Sequence, residues 1–126
     1  MSQPMRTHRS ECVVTTPDVL EFVDVTDDVV SALTACRIAE GHVTISAPAG
    51  CSIIVNEFES GLLSDLKRTM HHLQANSNGS RPKIGSTSVV LPALDGELKL
   101  GRWQRLLLIE LEKPSRRSVS VQVVGE

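Results

Sequence analysis

Three short stretches of this chain carry most of the side chains able to do chemistry. Asn56 and Glu57 close a β-branched run, and amides and carboxylates at strand ends commonly line clefts. Asp65 and His72 follow, seven residues apart on one edge of an apolar helical stripe; two helical turns bring them to the same side. Such a pair is a candidate metal site, with Asp65 holding the ion or orienting a neighbour. The plainer alternative is a surface carboxylate near Lys67 and Arg68 and a histidine bordering the stripe. The third stretch runs from Gly101 to Arg117. Trp103, the one tryptophan, could stack on a ligand ring, anchor a subunit contact or fill the core. Gln104 beside it has an amide suited to a heterocycle edge. Glu110 ends the apolar run LLLIE, where a carboxylate is either ion-paired or at a cleft mouth. Arg116 and Arg117 form either an anion clamp for phosphate or an exposed basic turn.

The cysteines point away from catalysis. Cys12, Cys36 and Cys51 are odd in number, widely spaced and without Cys/His ligand spacing, so free thiols in a reducing cytosol are expected. A nucleophilic thiolate needs a base or cation beside it, and no histidine neighbours Cys51 in the sequence. Cys51 reads as a buried, inert thiol.

Composition sets the frame. The 126 residues suffice for one domain, 1–126, with one core, residues 1–5 being a polar lead-in expected to be disordered. Hydrophobic residues make up 40% and aromatics only 2%, so the core must be aliphatic, and self-association is one route to further burial. Thirteen basic and fifteen acidic residues are scattered, which excludes a nucleic-acid module of the basic and aromatic kind. No apolar run reaches bilayer length and no signal-peptide pattern opens the chain. A cytoplasmic protein without membrane partners is expected.

The elements that must position these residues follow from pattern. Arg6 to Thr16 reads as a strand and Leu20, Phe22 and Val25 suggest a second. Thr26 fits an N-cap with Asp27 and Asp28 in the first turn; Val29, Val30, Leu33 and Cys36 continue a helix toward Gly41 as its stop. His42 to Ala47 and Ser52 to Asn56 read as strands around Pro48 to Gly50. A second helix spans about Ser60 to Leu73, its stripe assigned to Leu62, Leu66, Met70 and Leu73. A loop, ANSNGSRPK, precedes three strands: Ser86 to Leu91, Glu97 to Leu111 interrupted near Gly101, and Arg117 to Val124. In the last, Val119, Val121 and Val123 alternate with polar residues, the mark of one buried face. Short turns between most strands predict a largely antiparallel sheet in an α+β domain, sandwich- or barrel-like, with two or three helices.

In order and spacing, the Asn56-Glu57 pair, Asp65, the GSTSVVLPALDGELKLGRWQ run, Glu110, Arg116-Arg117 and the closing VQVVGE resemble the secondary thiamine-phosphate synthase, or YjbQ-like, family. The resemblance extends from about Asp24 to the C-terminus. It implies a YjbQ-like α+β domain assembled as a homotrimer. The implied reaction condenses an aminopyrimidine pyrophosphate with a thiazole phosphate and releases pyrophosphate. It implies Glu57 and Asp65 as catalytic residues and Asn56, Trp103, Gln104, Glu110, Arg116 and Arg117 as the ligand-binding set. A small phosphorylated ligand would be the partner, with Mg²⁺ a candidate cofactor and Asp65 and His72 the candidate ligands. Two departures accompany it. Pro48, Ala49, Gly50 and Cys51 stand where members usually carry His-Thr-Thr-Ala, and the loop after His72 is shorter and lacks further histidines. Weak or lost activity is therefore expected, with a non-catalytic homotrimeric ligand-binding or structural member as the alternative.

Overall fold

The computed structural model describes residues 4–75 and 84–126. Two sheets and two helices form an α+β domain. The strands are β1 (Arg6–Thr15), β2 (Phe22–Asp24), β3 (Gly41–Ser46), β4 (Cys51–Glu57), β5 (Ser88–Leu94), β6 (Glu97–Leu98), β7 (Gln104–Glu110) and β8 (Arg116–Gly125). Helix α1 is Thr26–Cys36 and α2 is Ser60–Ala75. The larger sheet runs β1-β8-β3-β5-β6 and the smaller β2-β7-β4, with antiparallel pairing throughout. Among the described residues no helix is long and apolar enough to cross a membrane.

Burial explains each element's pattern. On β8, Val119, Val121 and Val123 are fully buried and face the core, as period-two alternation requires. Strand β7 shows no alternation because both its faces are covered. Leu106 and Leu108 join the main core with Ile53, Val43 and Ile45, while Ile109 meets Leu20 and Met70 in a second cluster on the other side. A strand buried on both faces reads as an unbroken apolar run. The Asp95-Gly96 pair has positive φ at both residues, 54° and 76°, the backbone of a type I′ hairpin turn.

Helix α1 departs from its expected limits. It begins at Thr26 with Val25 at the N-cap position, and no side chain caps from there. Asp24 does that work instead, accepting bonds from the Thr26 N–H at 3.0 Å and its hydroxyl at 2.7 Å. The Thr26 hydroxyl in turn accepts the Leu106 N–H at 2.8 Å, tying α1 to β7. The helix stops at Arg37, in left-handed conformation with φ 58°, well before Gly41. Gly41 instead pairs with Gly125 where β3 crosses β8, a contact so close that a Cβ on either would strike backbone.

The stripe of α2 is rotated from expectation. Leu63 and Met70 are buried and Leu66 is half-buried, whereas Leu62 and Leu73 are 42% and 48% exposed. Adjacent leucines at 62 and 63 allow either phase, and the sheet selects Leu63. The strand expected from Ser86 begins at Ser88 and runs through Pro92 to Leu94. Most of the expected loop after α2 lies outside the described residues.

Candidate functional site

The pairing of β4 with β7 places the chemistry at two ends of one ribbon. Register sets Glu57 opposite Gln104 and Asn56 opposite Arg105 at one end, and Cys51 opposite Glu110 at the other. Six strand steps separate them, roughly 20 Å. The expected ligand-binding set is thereby divided between two places.

At the Glu57 end, chain direction changes sharply into α2. The Glu59 carbonyl accepts the Leu63 N–H at 3.0 Å, and its carboxylate accepts the N–H groups of Gly61 and Leu62 at 2.9 and 2.7 Å. Glu59 is thus the cap of α2, and those two N–H groups hold its carboxyl below the usual carboxylate range. The Asn56 side-chain oxygen accepts the Glu57 N–H at 2.9 Å, which turns the strand end. Opposite, the turn before β7 closes on itself: the Gln104 N–H donates to Gly101 O at 3.0 Å, and the Gly101 N–H to Gln104 Oε1 at 2.6 Å. The amide oxygen expected to meet a ligand is therefore used within the turn. Trp103 projects from that turn with 66% of its surface exposed, and Phe58 is 54% exposed. Trp103 is not core.

Glu57, Phe58, Glu59 and Trp103 line an open groove of about 430 Å³. Phe58 also borders a second groove of about 590 Å³, whose far wall is Phe22 with the Lys67–Glu21 ion pair. The Arg102 guanidinium carbon lies 4.9 Å from the centroid of the Trp103 ring. Phe58 and Glu59 were not singled out in the sequence, and Arg102 was noted only as a neighbour of Trp103; an aromatic between two acids immediately before a helix start was the available signal.

At the other end Glu110 is wholly buried and ion-paired, the first of its two expected readings. Arg117 Nε donates to Oε1 at 2.8 Å and Nη2 to Oε2 at 2.7 Å. The Thr16 hydroxyl adds a bond at 2.6 Å and the Glu112 N–H one at 3.1 Å. Burial alone would raise this carboxyl, yet Arg117, Thr16 and the Glu112 N–H outweigh it and hold it down at about 2. Cys51 is buried, its Sγ 3.9 Å from Glu110 Oε2. Burial first, then the Glu110 charge, push the thiol up to about 11, the opposite of an activated nucleophile. Arg117 also reaches the Ala49 carbonyl at 3.3 Å. It pins the PAGC loop rather than presenting a free cation.

The remaining expected residues stand apart. Asp65 is exposed on α2 and pairs with Arg68 at 3.4 Å; it does not line either groove. His72 is exposed on the same helix. Arg116 opens β8, exposed, and alternation turns it to the face opposite Arg117. Among the described residues no three His, Cys, Asp or Glu side chains are placed to hold one metal ion.

Residues 10–126 match the model of the UPF0047 protein YjbQ-like family. The chain belongs to that family. A UPF0047 protein of Archaeoglobus fulgidus is 30% identical over 128 residues, covering 90% of this chain and 99% of the relative. One from Methanothermobacter thermautotrophicus is 28% identical, covering 97% of this chain and 95% of the relative. Among solved structures, a Sulfolobus solfataricus protein described as of unknown function superposes with TM-score 0.87 at 26% identity, over 98% of this chain and 100% of its own. A hypothetical protein from Aeropyrum pernix gives 0.85 at 27% identity, over 94% and 99%. The YjbQ-like family and the α+β fold are those the resemblance implied; these relatives carry no stated activity, and nothing in them supports the synthase name.

Proposed function

We propose that this protein is a non-catalytic, ligand-binding member of the family, assembled as a homotrimer, which takes a small organic molecule in the groove at Glu57 and Trp103. The observation that carries this reading is the division of the expected site. Asn56, Glu57 and Gln104 lie at one end of the β4–β7 ribbon, where Glu57 and Trp103 line a groove, while the Arg117 guanidinium is engaged about 20 Å away by Glu110.

Electrostatics argues in the same direction. Condensation with loss of pyrophosphate needs cations around the leaving group, and two of the four groove walls are carboxylates, Glu57 and Glu59. A phosphorylated substrate would meet repulsion there. Exposed Leu62 and Leu73 on α2 supply apolar surface outside that groove which assembly would cover.

Supplied with an aminopyrimidine pyrophosphate, a thiazole phosphate and Mg²⁺, the protein should release pyrophosphate no faster than its Glu57→Ala variant. A clearly faster wild-type rate would replace this reading with the synthase one. Sedimentation should give the mass of three chains; a monomer at all concentrations would remove the trimer.

A further inference from the structure

Two walls of the groove beside Trp103 are aromatic and two are acidic, and each pair restricts what can sit between them. The exposed Trp103 and Phe58 rings offer faces whose quadrupole is negative, so they favour positive charge as well as apolar surface. Glu57 is exposed at the strand end, and among the described residues no ion pair engages its carboxylate. Glu59 is fixed in place by its bonds to the start of α2, which also keep it ionised. An anion would meet two like charges against the single Arg102 guanidinium stacked on Trp103. A neutral apolar molecule would strip water from a carboxylate and return nothing. A bare metal ion would leave the two rings unused.

A second observation is independent of the acids. The ring of Trp103 already carries a cation, because Arg102 stacks on it at 4.9 Å, within the range in which such stacking is attractive. The guanidinium, flat and delocalised, shows the kind of group this ring accepts.

We propose that this groove binds an organic cation, a quaternary or delocalised ammonium group, seated on Trp103 and Phe58 and countered by Glu57 and Glu59. The assignment rests on the ligand-binding reading above and gives it a ligand class. Arg102 is then the resident charge with which the ligand competes.

The chain has one tryptophan and no tyrosine, so its intrinsic emission reports on Trp103 alone. The full-length protein is titrated with choline, with its neutral isostere 3,3-dimethylbutan-1-ol, and with inorganic phosphate. Choline should change the emission saturably, and the alcohol should bind about tenfold more weakly or not at all. Glu57→Gln, a surface change that leaves the fold intact, should weaken choline about fivefold, and Arg102→Ala should strengthen it by a similar factor by removing a like charge. Equal saturation by the alcohol, saturation by phosphate alone, or indifference to Glu57→Gln would overturn the cation assignment while leaving a small-molecule groove in place. Saturation by none of the three would remove the groove reading as well.

Discussion

Arg117 closes on Glu110 through two parallel bonds of 2.8 and 2.7 Å, one from Nε and one from Nη2, around a carboxylate with no solvent exposure. This is bidentate pairing in a dry setting, further secured by Thr16 and the Glu112 N–H. It ties β8 to β7 and, through the Ala49 carbonyl, to the loop before β4. Its weight is structural.

Removing one partner should cost far more than removing both. Arg117→Ala leaves a buried carboxylate without its cation and should lower unfolding free energy by about 3–5 kcal/mol. Glu110→Leu combined with Arg117→Met should recover much of that loss in urea denaturation. A single variant as stable as the wild type would show that water reaches the site freely.

Acid should unfold the protein through the same pair. Glu110 is depressed from 4.5 to about 2 in the folded chain. A lowered carboxyl stabilises the fold above its unfolded value, and that contribution disappears as pH falls from about 4.5 toward 2. Thermal melts across this window should show midpoints dropping with acid. The drop should be shallower in the double variant, and identical slopes would assign the acid limb to other carboxylates.

The thiol of Cys51 should be nearly inert in the native state. Raising it from 9.0 to about 11 lowers the thiolate fraction near neutral pH about a hundredfold, and burial adds to the protection. Iodoacetamide labelling followed by peptide mass spectrometry should find Cys51 unmodified until denaturant is added. Rapid native labelling there would mean that the PAGC loop opens.

Two glycines should respond in opposite ways to substitution. Gly125→Ala places a methyl against the Glu40 backbone at the strand crossing and should cost about 1–3 kcal/mol or prevent folding. Gly96→Asn sits in a turn with nothing within 4 Å of the added carbon and φ at +76°, a conformation Asn tolerates, so the change should stay within about 1 kcal/mol. Denaturant midpoints compare them directly.

The fold was largely legible because its signals are local. Val119, Val121 and Val123 announce their strand by alternation, and Asp95-Gly96 announces its hairpin by chemistry. Errors arose where two local solutions competed. Leu62 and Leu63 each complete a helical stripe, and only the sheet beneath α2 chooses between them. The left-handed stop at Arg37 was hidden because glycine is the usual residue there, and Gly41 stood close enough to mislead. The site was harder to read for a different reason. Glu57 meets Trp103 only because β4 pairs with β7, a contact that crosses an intervening helix and two strands. An ion pair at Glu110 was one of two readings open from sequence, with no partner named for it, and finding Arg117 there required knowing that the end of β7 is dry.

Strand β7 has a further property that follows from having no wet side. In most strands a slip of one residue turns apolar groups outward, so hydrophobicity itself enforces alignment. Sliding LLLI by one position would trade leucine for leucine at almost no such cost. Alignment must be specified by the polar bookends: Arg105, held by Asp24 and Asp27 at 2.7 and 3.1 Å, and Glu110, held by Arg117. These charged anchors act as a ruler, and losing both would leave a chain able to fold into neighbouring, nearly equivalent alignments.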